Sequence, residues 1–367
     1  MKILLLGEYS NVHWTLSEGL RALGHDVCVI SDGDGWKNYP RDINLKREQG
    51  KIGGLKYYIS VLKNLRHMRG YDVVQIINPM FLELKAEKIY PFYKYLRRHN
   101  KKVFMGAFGM DYYWVTTGLD CTTFRYSDFN IGGKHRADEE HNKPFINDWI
   151  EGEKGKLNKY IAKDCDGIIT GLYEYDRCYR PHFPDKTQFI PFPINPEKIS
   201  PRTPHHDYDG IRFFIGIQKT RNTYKGTHIM LKALERLHDK YPDKTEILKA
   251  ESVPYDTYQE MMNSSDAILD QLYSYTPSMN SLLAMAKGIV VVGGGEEENY
   301  EILNERQLRP IVNVQPNEED VFLQMEKLVT GEYDLKQMQA DSITYIERHH
   351  HYIKVAQQYV NFWTQKK

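Results

Sequence analysis

The sequence predicts an α/β protein built from two units, each with a parallel sheet. Short apolar and β-branched runs alternate with helical patterns along the chain, and buried parallel strands have this continuous apolar character. The length of 367 residues exceeds the size at which one hydrophobic core usually stops growing. A proline-rich stretch separates two series of such strands, so we expect one unit on each side of it.

The first series contains six expected strands, at residues 3–6, 27–30, 73–77, 102–105, 167–170 and 187–190. Helical patterns at 15–23 and 55–68 end just before Gly24 and Gly70, and glycine commonly terminates helices. An insertion at 114–149, rich in Tyr, Asp, His and Gly, follows the fourth strand. Loops in this position often bind substrates, and the alternative is a purely structural excursion.

The second series contains five expected strands, at residues 211–215, 245–248, 267–269, 289–292 and 310–314. Five prolines in residues 189–210 exclude a helix or a central strand there. The last helix carries Val355, Tyr359 and Trp363 on one stripe, which predicts packing back onto the first domain. The predicted boundaries are a first domain at 1–192, a linker at 193–210, a second domain at 211–345 and the returning helix at 346–367.

Composition excludes several classes of partner and site. Lys+Arg and Asp+Glu both total 49, which argues against a nucleic-acid partner. The four cysteines are far apart and form no CxxC pair, which argues against a zinc site or a disulfide scaffold and fits a reducing compartment. The first apolar run is too short for a signal peptide or a membrane span, so a cytoplasmic protein is expected.

Basic side chains gather on or just beyond helices of the first domain. They are Lys63, Arg66, Arg69, Lys94, Arg97, Arg98, Lys101 and Lys102. Such a face can touch the anionic inner surface of a membrane, or it can simply be solvated, and both interpretations remain open.

The start of the helix near residue 279 is typical of an anion site. Ser278, Met279, Asn280 and Ser281 follow Pro277 and precede an Ala-Met-Ala turn and an apolar strand. The first turn of a helix has unpartnered N–H groups and a partial positive charge, which together attract phosphate. An ordinary helix cap is the alternative.

Three cations lie in the loop at 218–226, between an expected strand and the following helix. Lys219, Arg221 and Lys225 are placed to neutralise a diphosphate beside the other helix start. We expect them to stabilise a phosphate leaving group, and a solvated charged turn is the alternative.

The loop after the first strand has one glycine of a dinucleotide fingerprint, Gly7, where the motif needs three, so hydride transfer with NAD is disfavoured. Gly7, Glu8 and Ser10 can still contact a ligand. His13 is a candidate sugar ligand or base, or a residue of the helix start without such a role.

Asp111, after the fourth strand, is a candidate general base for an acceptor hydroxyl, with a helix cap as the alternative. Asp32 and Asp34 flank a glycine in a turn after the second strand, and turn preference alone explains them. Neither a required metal nor a cofactor is expected.

The chain resembles glycosyltransferases of the GT-B fold, nearest to bacterial family 1 and family 4 enzymes of surface polysaccharide synthesis. The segments that carry the resemblance are LLLGEYSNVHWTLSEGLRALGHDV, FIPFPIN, RNTYKGTHIMLKAL, VPYDTYQEMMNSSDAILDQL and LLAMAKGIVVVGG. The resemblance spans nearly the whole chain. It implies two Rossmann-like domains that face each other across a cleft, the first on the acceptor side and the second binding a nucleotide sugar.

The resemblance also assigns donor-binding roles. Arg221 and Lys225 match the pair that holds the donor diphosphate, with Lys219 as a substitute for the arginine. Val253, in the loop at 252–254, matches the region that contacts the nucleobase. Residues 278–281 match the helix start beneath the phosphates.

One departure from the family concerns two glutamates eight positions apart. Tyr275 and Leu283 stand at those positions. In the family the first glutamate contacts the sugar and the second holds the donor ribose. Tyr275 is expected among the donor-binding residues, and ribose binding falls to Asn280 or Glu298, or the site is weakened. The stereochemical outcome, retaining or inverting, therefore stays open.

The resemblance implies transfer of a sugar from a nucleotide donor to a saccharide or lipid-linked acceptor in surface polysaccharide synthesis. A nucleotide-sugar epimerase of the same fold is one alternative. A noncatalytic nucleotide-sugar-binding protein is the other, because both glutamates are missing.

Overall fold

The computed structural model describes residues 1–136, 139–203, 209–217 and 222–365, with the side chains of residues 139, 141, 224 and 255 left aside. The chain divides into two units. Unit 1 comprises Met1–Thr123, Ala137–Pro193 and Tyr352–Lys367, and unit 2 comprises Phe124–Arg136 and Ile194–His351.

The described residues form two parallel sheets and one hairpin. Their strands are β1 (Lys2–Leu6), β2 (Asp26–Ser31), β3 (Ile43–Asn44), β4 (Val73–Ile76), β5 (Lys102–Ala107), β6 (Asn130–Ile131), β7 (Lys134–His135), β8 (Gly167–Thr170), β9 (Thr187–Phe189), β10 (Ile211–Ile217), β11 (Thr245–Glu251), β12 (Ala267–Leu269), β13 (Val290–Gly293) and β14 (Ile311–Asn313).

The helices of the described residues cover the two parallel sheets or connect their strands. They are α1 (Val12–Ala22), α2 (Gly50–Asn64), α3 (Ala86–His99), α4 (Tyr112–Leu119), α5 (Glu139–Phe145), α6 (Glu153–Asp164), α7 (Tyr173–Tyr179), α8 (Asn222–Lys225), α9 (Thr227–Lys240), α10 (Tyr255–Asn263), α11 (Met279–Ala286), α12 (Glu297–Ile302), α13 (Glu318–Thr330), α14 (Leu335–Tyr345) and α15 (Tyr352–Gln365).

Unit 1 contains the seven-stranded sheet in the order β3-β2-β1-β4-β5-β8-β9, with every neighbouring pair parallel. The strand order reverses between β1 and β4, and ligands of doubly wound sheets bind beyond the strand ends at such a point. Six of these strands lie where the apolar runs predict them. The additional edge strand β3 has two residues, too few to produce a pattern.

The last helix, α15, belongs to unit 1 and packs against α1. A Cβ atom at Gly19 would lie 2.4 Å from the Tyr352 carbonyl oxygen and 2.8 Å from the Ala356 Cβ, so glycine is what permits the close approach. Val355, Tyr359 and Trp363 are buried, as their shared stripe predicts.

Unit 2 contains the five-stranded parallel sheet in the order β11-β10-β12-β13-β14. Its reversal point lies between β10 and β12. Lys225 lies between β10 and α9, and residues 270–278 lead from β12 to the start of α11. The two sheets confirm the predicted α/β class with two Rossmann-like units.

The bounds of the two units differ from the predicted domains, which divide the chain once, at the linker. Residues 124–136, which the sequence prediction includes in the first domain, belong to unit 2. Their aromatic side chains pack on unit 2, where Tyr126 and Tyr275 have ring centroids 4.8 Å apart. Unit 2 also continues to His351, because the Ile194 N–H donates to the His350 carbonyl at 2.7 Å.

Part of the predicted basic face of unit 1 is engaged within the protein. Arg97 pairs with Asp164 at 3.0 Å, Lys101 pairs with Asp72 at 2.7 Å, and Lys102 donates to the Trp363 carbonyl at 2.8 Å. No helix in the described part of the chain is long and apolar enough to cross a membrane.

Candidate functional site

The buried carboxylate of Asp270 organises the reversal point of the unit 2 sheet. Asp270 follows β12 directly and is 5% exposed. Its Oδ2 accepts hydrogen bonds from the hydroxyls of Ser278 and Ser281, the latter at 2.6 Å, and Lys225 Nζ lies 3.8 Å from its Oδ1. One carboxylate thus brings together the two regions that the sequence predicts to bind phosphate.

The turn that carries Lys225 is fixed by its backbone. The Leu272 N–H donates to the Lys225 carbonyl at 2.9 Å, which joins the end of α8 to the loop after β12. Gly226 has φ +67°, and a Cβ there would lie 2.7 Å from the Tyr273 ring. Only glycine combines this conformation with this contact. Lys219 and Arg221, the other predicted clamps, lie outside the described residues.

The start of α11 supplies backbone donors beside Asp270. Ser278 is the N-cap residue, but its hydroxyl donates to Asp270 and makes no capping bond to the helix. The N–H groups of Met279, Asn280 and Ser281 have no acceptor inside the helix, because they belong to its first turn. Lys225 and this helix start therefore form a positively charged surface of the kind that binds phosphate.

Val253 lies at the same edge of the sheet, in the loop between β11 and α10. The preceding residue, Ser252, adopts φ 56°, and Val253 is half-buried. Because β11 is the neighbour of β10, this loop is next to the one that carries Lys225. The position is consistent with the predicted nucleobase contact.

Tyr275 and Glu298 hold the 124–136 segment. The Tyr275 hydroxyl accepts from the Arg125 N–H at 2.7 Å, and its ring lies 4.8 Å from the Arg125 guanidinium. Both Glu298 and Glu296 pair with the same guanidinium, the latter at 2.9 Å. Tyr275 is 2% exposed. The structure thus groups these two residues with Arg125, and their predicted contacts to sugar and ribose stay predictions.

Sequence reasoning missed several residues of this region. Asp270 carries a usable signal, because it directly follows an apolar strand in a parallel sheet. Arg125 and Glu296 carry none, since their importance arises from a contact across 171 positions of the chain.

In unit 1, Gly7 ends β1 at the reversal point. It has φ +85°, and a Cβ would lie 2.4 Å from Ile77 Cγ2, so no other residue fits. Gly7 and Glu8 line a cavity of about 20 Å³ with Tyr9, Asp32 and Glu83. That space holds about one water molecule.

The Glu8 side chain caps α1. Its carboxylate oxygens accept from the N–H groups of His13 at 3.2 Å and Trp14 at 2.9 Å. Burial raises the pKa of Glu8 to about 8. Ser10 adopts φ 52° and donates its backbone N–H to Asp34 at 2.9 Å. Glu8 through its side chain and Ser10 through its backbone thus stabilise this loop, and their contacts to an acceptor stay predictions.

His13 is fully buried, and its two ring nitrogens differ. Nδ1 lies 2.8 Å from the Gly7 carbonyl and therefore carries the proton, while Nε2 is buried and has no hydrogen-bond partner. Burial lowers the pKa of His13 to about 3. A neutral ring with a free Nε2 acceptor suits a sugar hydroxyl better than proton abstraction.

Asp111 is the N-cap of α4, the alternative that the sequence leaves open. Its Oδ1 accepts from the Trp114 N–H at 2.9 Å, and its Oδ2 accepts from the Tyr179 hydroxyl at 2.6 Å. Burial raises the pKa of Asp111 to about 6, against the lowering effect of these hydrogen bonds. The value suits a base near neutral pH, and the catalytic role stays a prediction.

The aspartates of the turn after β2 form a hydrogen bond and an ion pair within that turn. Asp32 accepts from the Asp34 N–H at 3.1 Å, and Asp34 pairs with Lys37 at 2.6 Å. No group of three His, Cys, Asp or Glu side chains that could hold a metal occurs in the part of the chain that the structure describes.

No protein-family model and no curated protein sequence matches the chain. Solved protein structures do match the chain. The sucrose-phosphate synthase of Thermosynechococcus elongatus has a TM-score of 0.62 at 11% identity, over 100% of this chain and 99% of that one. Anabaena HepE in complex with UDP-glucose has a TM-score of 0.59 at 12% identity, over 100% of both chains.

The catalytic domain of Arabidopsis thaliana starch synthase IV, bound to ADP and acarbose, has a TM-score of 0.60 at 10% identity, over 100% of this chain and 99% of that one. Full-length matches of this kind show the GT-B fold. The fold predicted from the resemblance is therefore confirmed.

We predict that Glu8→Gln stabilises the protein at alkaline pH. The raised pKa means that ionising Glu8 opposes folding, so stability is lost as pH rises from the ordinary carboxyl pKa of 4.5 to about 8. Glutamine stays neutral. Thermal unfolding should show a variant Tm at or slightly below that of the wild type near pH 4, because glutamine offers one acceptor oxygen where Glu8 offers two. Near pH 8.5 the Tm of the variant should be about 2–5 °C higher.

Glu87→Gln, at an exposed position, is the matched control and should leave the Tm unchanged at both pH values. A Glu8→Gln variant that melts below the wild type at both pH values would show that the ionised carboxylate is required for the cap.

Proposed function

We propose that the protein is a glycosyltransferase that moves a sugar from a nucleotide donor to a saccharide or lipid-linked acceptor. One observation carries the proposal. In a chain with the GT-B fold, Lys225 and the start of α11 meet at one buried carboxylate, at the reversal point of the unit 2 sheet. That place and that charge suit the diphosphate of a donor.

The chemistry requires stabilisation of the leaving diphosphate. As the bond from the anomeric carbon to the phosphate oxygen breaks, its electron pair passes to the diphosphate, whose negative charge grows. Lys225 and the N–H groups of α11 offset that charge, and preorganised groups of this kind lower the barrier. The HepE and starch synthase structures hold UDP-glucose and ADP, which supports a nucleoside diphosphate donor.

Unit 1 supplies groups suited to an acceptor hydroxyl. The unpartnered Nε2 of His13 can accept a hydrogen bond from a sugar hydroxyl. Asp111, with a pKa near 6, is the base that takes the hydroxyl proton as the new glycosidic bond forms. Gly7, Glu8 and Ser10 shape the loop beside them.

A noncatalytic nucleotide-sugar-binding protein is the second candidate. It is favoured by Tyr275, which stands at the position of a family glutamate and is buried against the 124–136 segment. Incubation of the chain with nucleotide sugars and saccharides separates the two functions. Neither transfer nor hydrolysis with any donor that binds would leave only the noncatalytic function.

Contact with a membrane surface is supported by α2. Its apolar side chains at spacings of three and four are exposed, namely Ile52 (74%), Leu55 (62%), Ile59 (42%) and Leu62 (44%). Residues 50–69 contain five lysines and arginines and no acidic residue. An apolar stripe flanked by positive charge is typical of helices that lie on anionic membranes, where a lipid-linked acceptor would be presented.

We expect Lys225→Ala to weaken binding of nucleoside diphosphates and to lower kcat/KM by about two to three orders of magnitude, the usual effect of removing one preorganised charge stabiliser. Its Tm should barely change, because the charged contact that the described residues give Lys225 is a loose pair at 3.8 Å. Calorimetry and donor-dependent turnover measure the effects.

Lys336→Ala, an exposed substitution on α14, is the control and should behave as the wild type. If Lys225→Ala binds every nucleoside diphosphate as tightly as the wild type does, the donor site does not include Lys225.

We expect Asp111→Asn to lower kcat by about 10²–10⁴-fold with little change in donor affinity. In the wild type kcat should rise with pH through about 6, as the carboxyl loses its proton, and this limb should vanish in the variant. Tyr179→Phe removes a hydrogen bond that lowers the pKa, so it should move the limb to higher pH. Unchanged turnover in Asp111→Asn would leave Asp111 as a helix cap alone.

We expect the double variant Ile52→Ser with Leu55→Ser to bind phosphatidylglycerol vesicles about tenfold more weakly than the wild type, because it loses exposed apolar surface that the bilayer would bury. Sedimentation with vesicles measures binding. Leu323→Ser, which changes an exposed leucine of α13 in unit 2, is the control. If the double variant and the wild type sediment equally with vesicles, α2 does not contribute to membrane binding.

A further inference from the structure

Arg136 lies at the end of the 124–136 segment, within unit 2. Its N–H donates to the Phe129 carbonyl at 2.8 Å, which closes the hairpin of β6 and β7. The guanidinium carbon lies 3.4 Å from the centroid of the Tyr273 ring, and Nη2 donates to the Thr223 carbonyl at 2.7 Å. The Tyr273 ring and the Thr223 carbonyl therefore fix the plane of the Arg136 guanidinium.

The other two nitrogens of this guanidinium are unsatisfied. Nε and Nη1 are buried and have no hydrogen-bond partner, and no carboxylate among the residues that the structure describes pairs with Arg136. Buried N–H groups left unpaired are unfavourable, and native proteins rarely keep them without a function. Arg125, in the same segment, differs because it pairs with both Glu296 and Glu298.

The surroundings of Arg136 are those of the donor site. Thr223 belongs to α8, which ends at Lys225. The Tyr273 ring, on which Arg136 stacks, is the ring that requires glycine at position 226. Arg136 and Lys225 thus both adjoin one turn from strand to helix.

We propose that Arg136 binds phosphate and completes the proposed donor site, with Nε and Nη1 each donating a charge-assisted hydrogen bond to an anionic oxygen. Arginine binds phosphate through several such hydrogen bonds, and stacking on Tyr273 preorganises it. The identity of the ligand as the diphosphate of a nucleotide sugar rests on the proposed function. The insertion after β5 then supplies an anion-binding residue to unit 2.

The test compares the full-length wild type with Arg136→Gln and Arg136→Lys. Calorimetry measures binding of inorganic pyrophosphate and of a panel of nucleoside diphosphates, and thermal unfolding measures stabilisation by each. We expect Arg136→Gln to weaken binding of both ligand types by about 10–100-fold, since two charge-assisted hydrogen bonds are lost. Arg136→Lys should be intermediate, because lysine keeps the charge but donates from a single nitrogen.

Arg309→Gln is the matched control. Arg309 also lies over a tyrosine ring, at 4.1 Å from Tyr300, but it pairs with Glu297 at 3.0 Å. The control should bind anions as the wild type does. Without ligand, Arg136→Gln should melt no lower than the wild type, because two unpaired buried N–H groups have been removed. A purely structural arginine would instead give a lower Tm and an unchanged stabilisation by pyrophosphate, which would overturn the proposal.

The outcomes separate this proposal from the glycosyltransferase function. Nucleoside diphosphates that bind Arg136→Gln as tightly as the wild type would overturn the role of Arg136 and leave the function standing. A wild type that binds pyrophosphate through Arg136 but binds no nucleoside diphosphate would keep the anion site and overturn the nucleotide donor. A wild type that binds neither would overturn both.

Discussion

The packing of the 124–136 segment on Tyr275 is the constraint on which the composition of unit 2 depends. Phe124, Tyr126 and Phe129 are each 3% exposed or less. Burial of an aromatic side chain removes about 150–250 Å² from water, which at about 25 cal/mol per Å² stabilises by several kcal/mol. The Arg125 guanidinium is 55% exposed, and exposed ion pairs contribute about 0–1 kcal/mol. The rings therefore hold the segment, while Arg125 and its two glutamates fix its register.

This packing changes how the proposed donor site is built. The ring and hydroxyl of Tyr275 contact the 124–136 segment, so they anchor that segment to unit 2. The same segment brings Arg136 to the turn of Lys225. Asp270, held by two serine hydroxyls, is the acidic group that the described residues place beside Lys225 and the start of α11.

Much of the fold was predictable because it depends on local pattern. The run at 267–269 coincides with β12, and the pairing of all neighbouring strands in each sheet follows from their alternation with helices. The cap role of Asp111 was foreseeable from an aspartate before a helix. By contrast, the unit to which residues 124–136 belong depends on a ring 150 positions away, and no local propensity encodes that choice. The tautomer of His13 likewise depends on the Gly7 carbonyl and on burial, which only tertiary structure reveals.

The division of the chain also sets an order for its folding during synthesis. Unit 1 is incomplete until residues 352–365, which follow all of unit 2 in the chain, pack on α1. Unit 2 needs residues 124–136, which are made early, together with a sheet whose last strand ends at Asn313. Domains usually fold in turn as the chain emerges. Here the early segment must wait for its partner strands, and unit 1, although its synthesis begins first, can be completed only after all of unit 2 has been made.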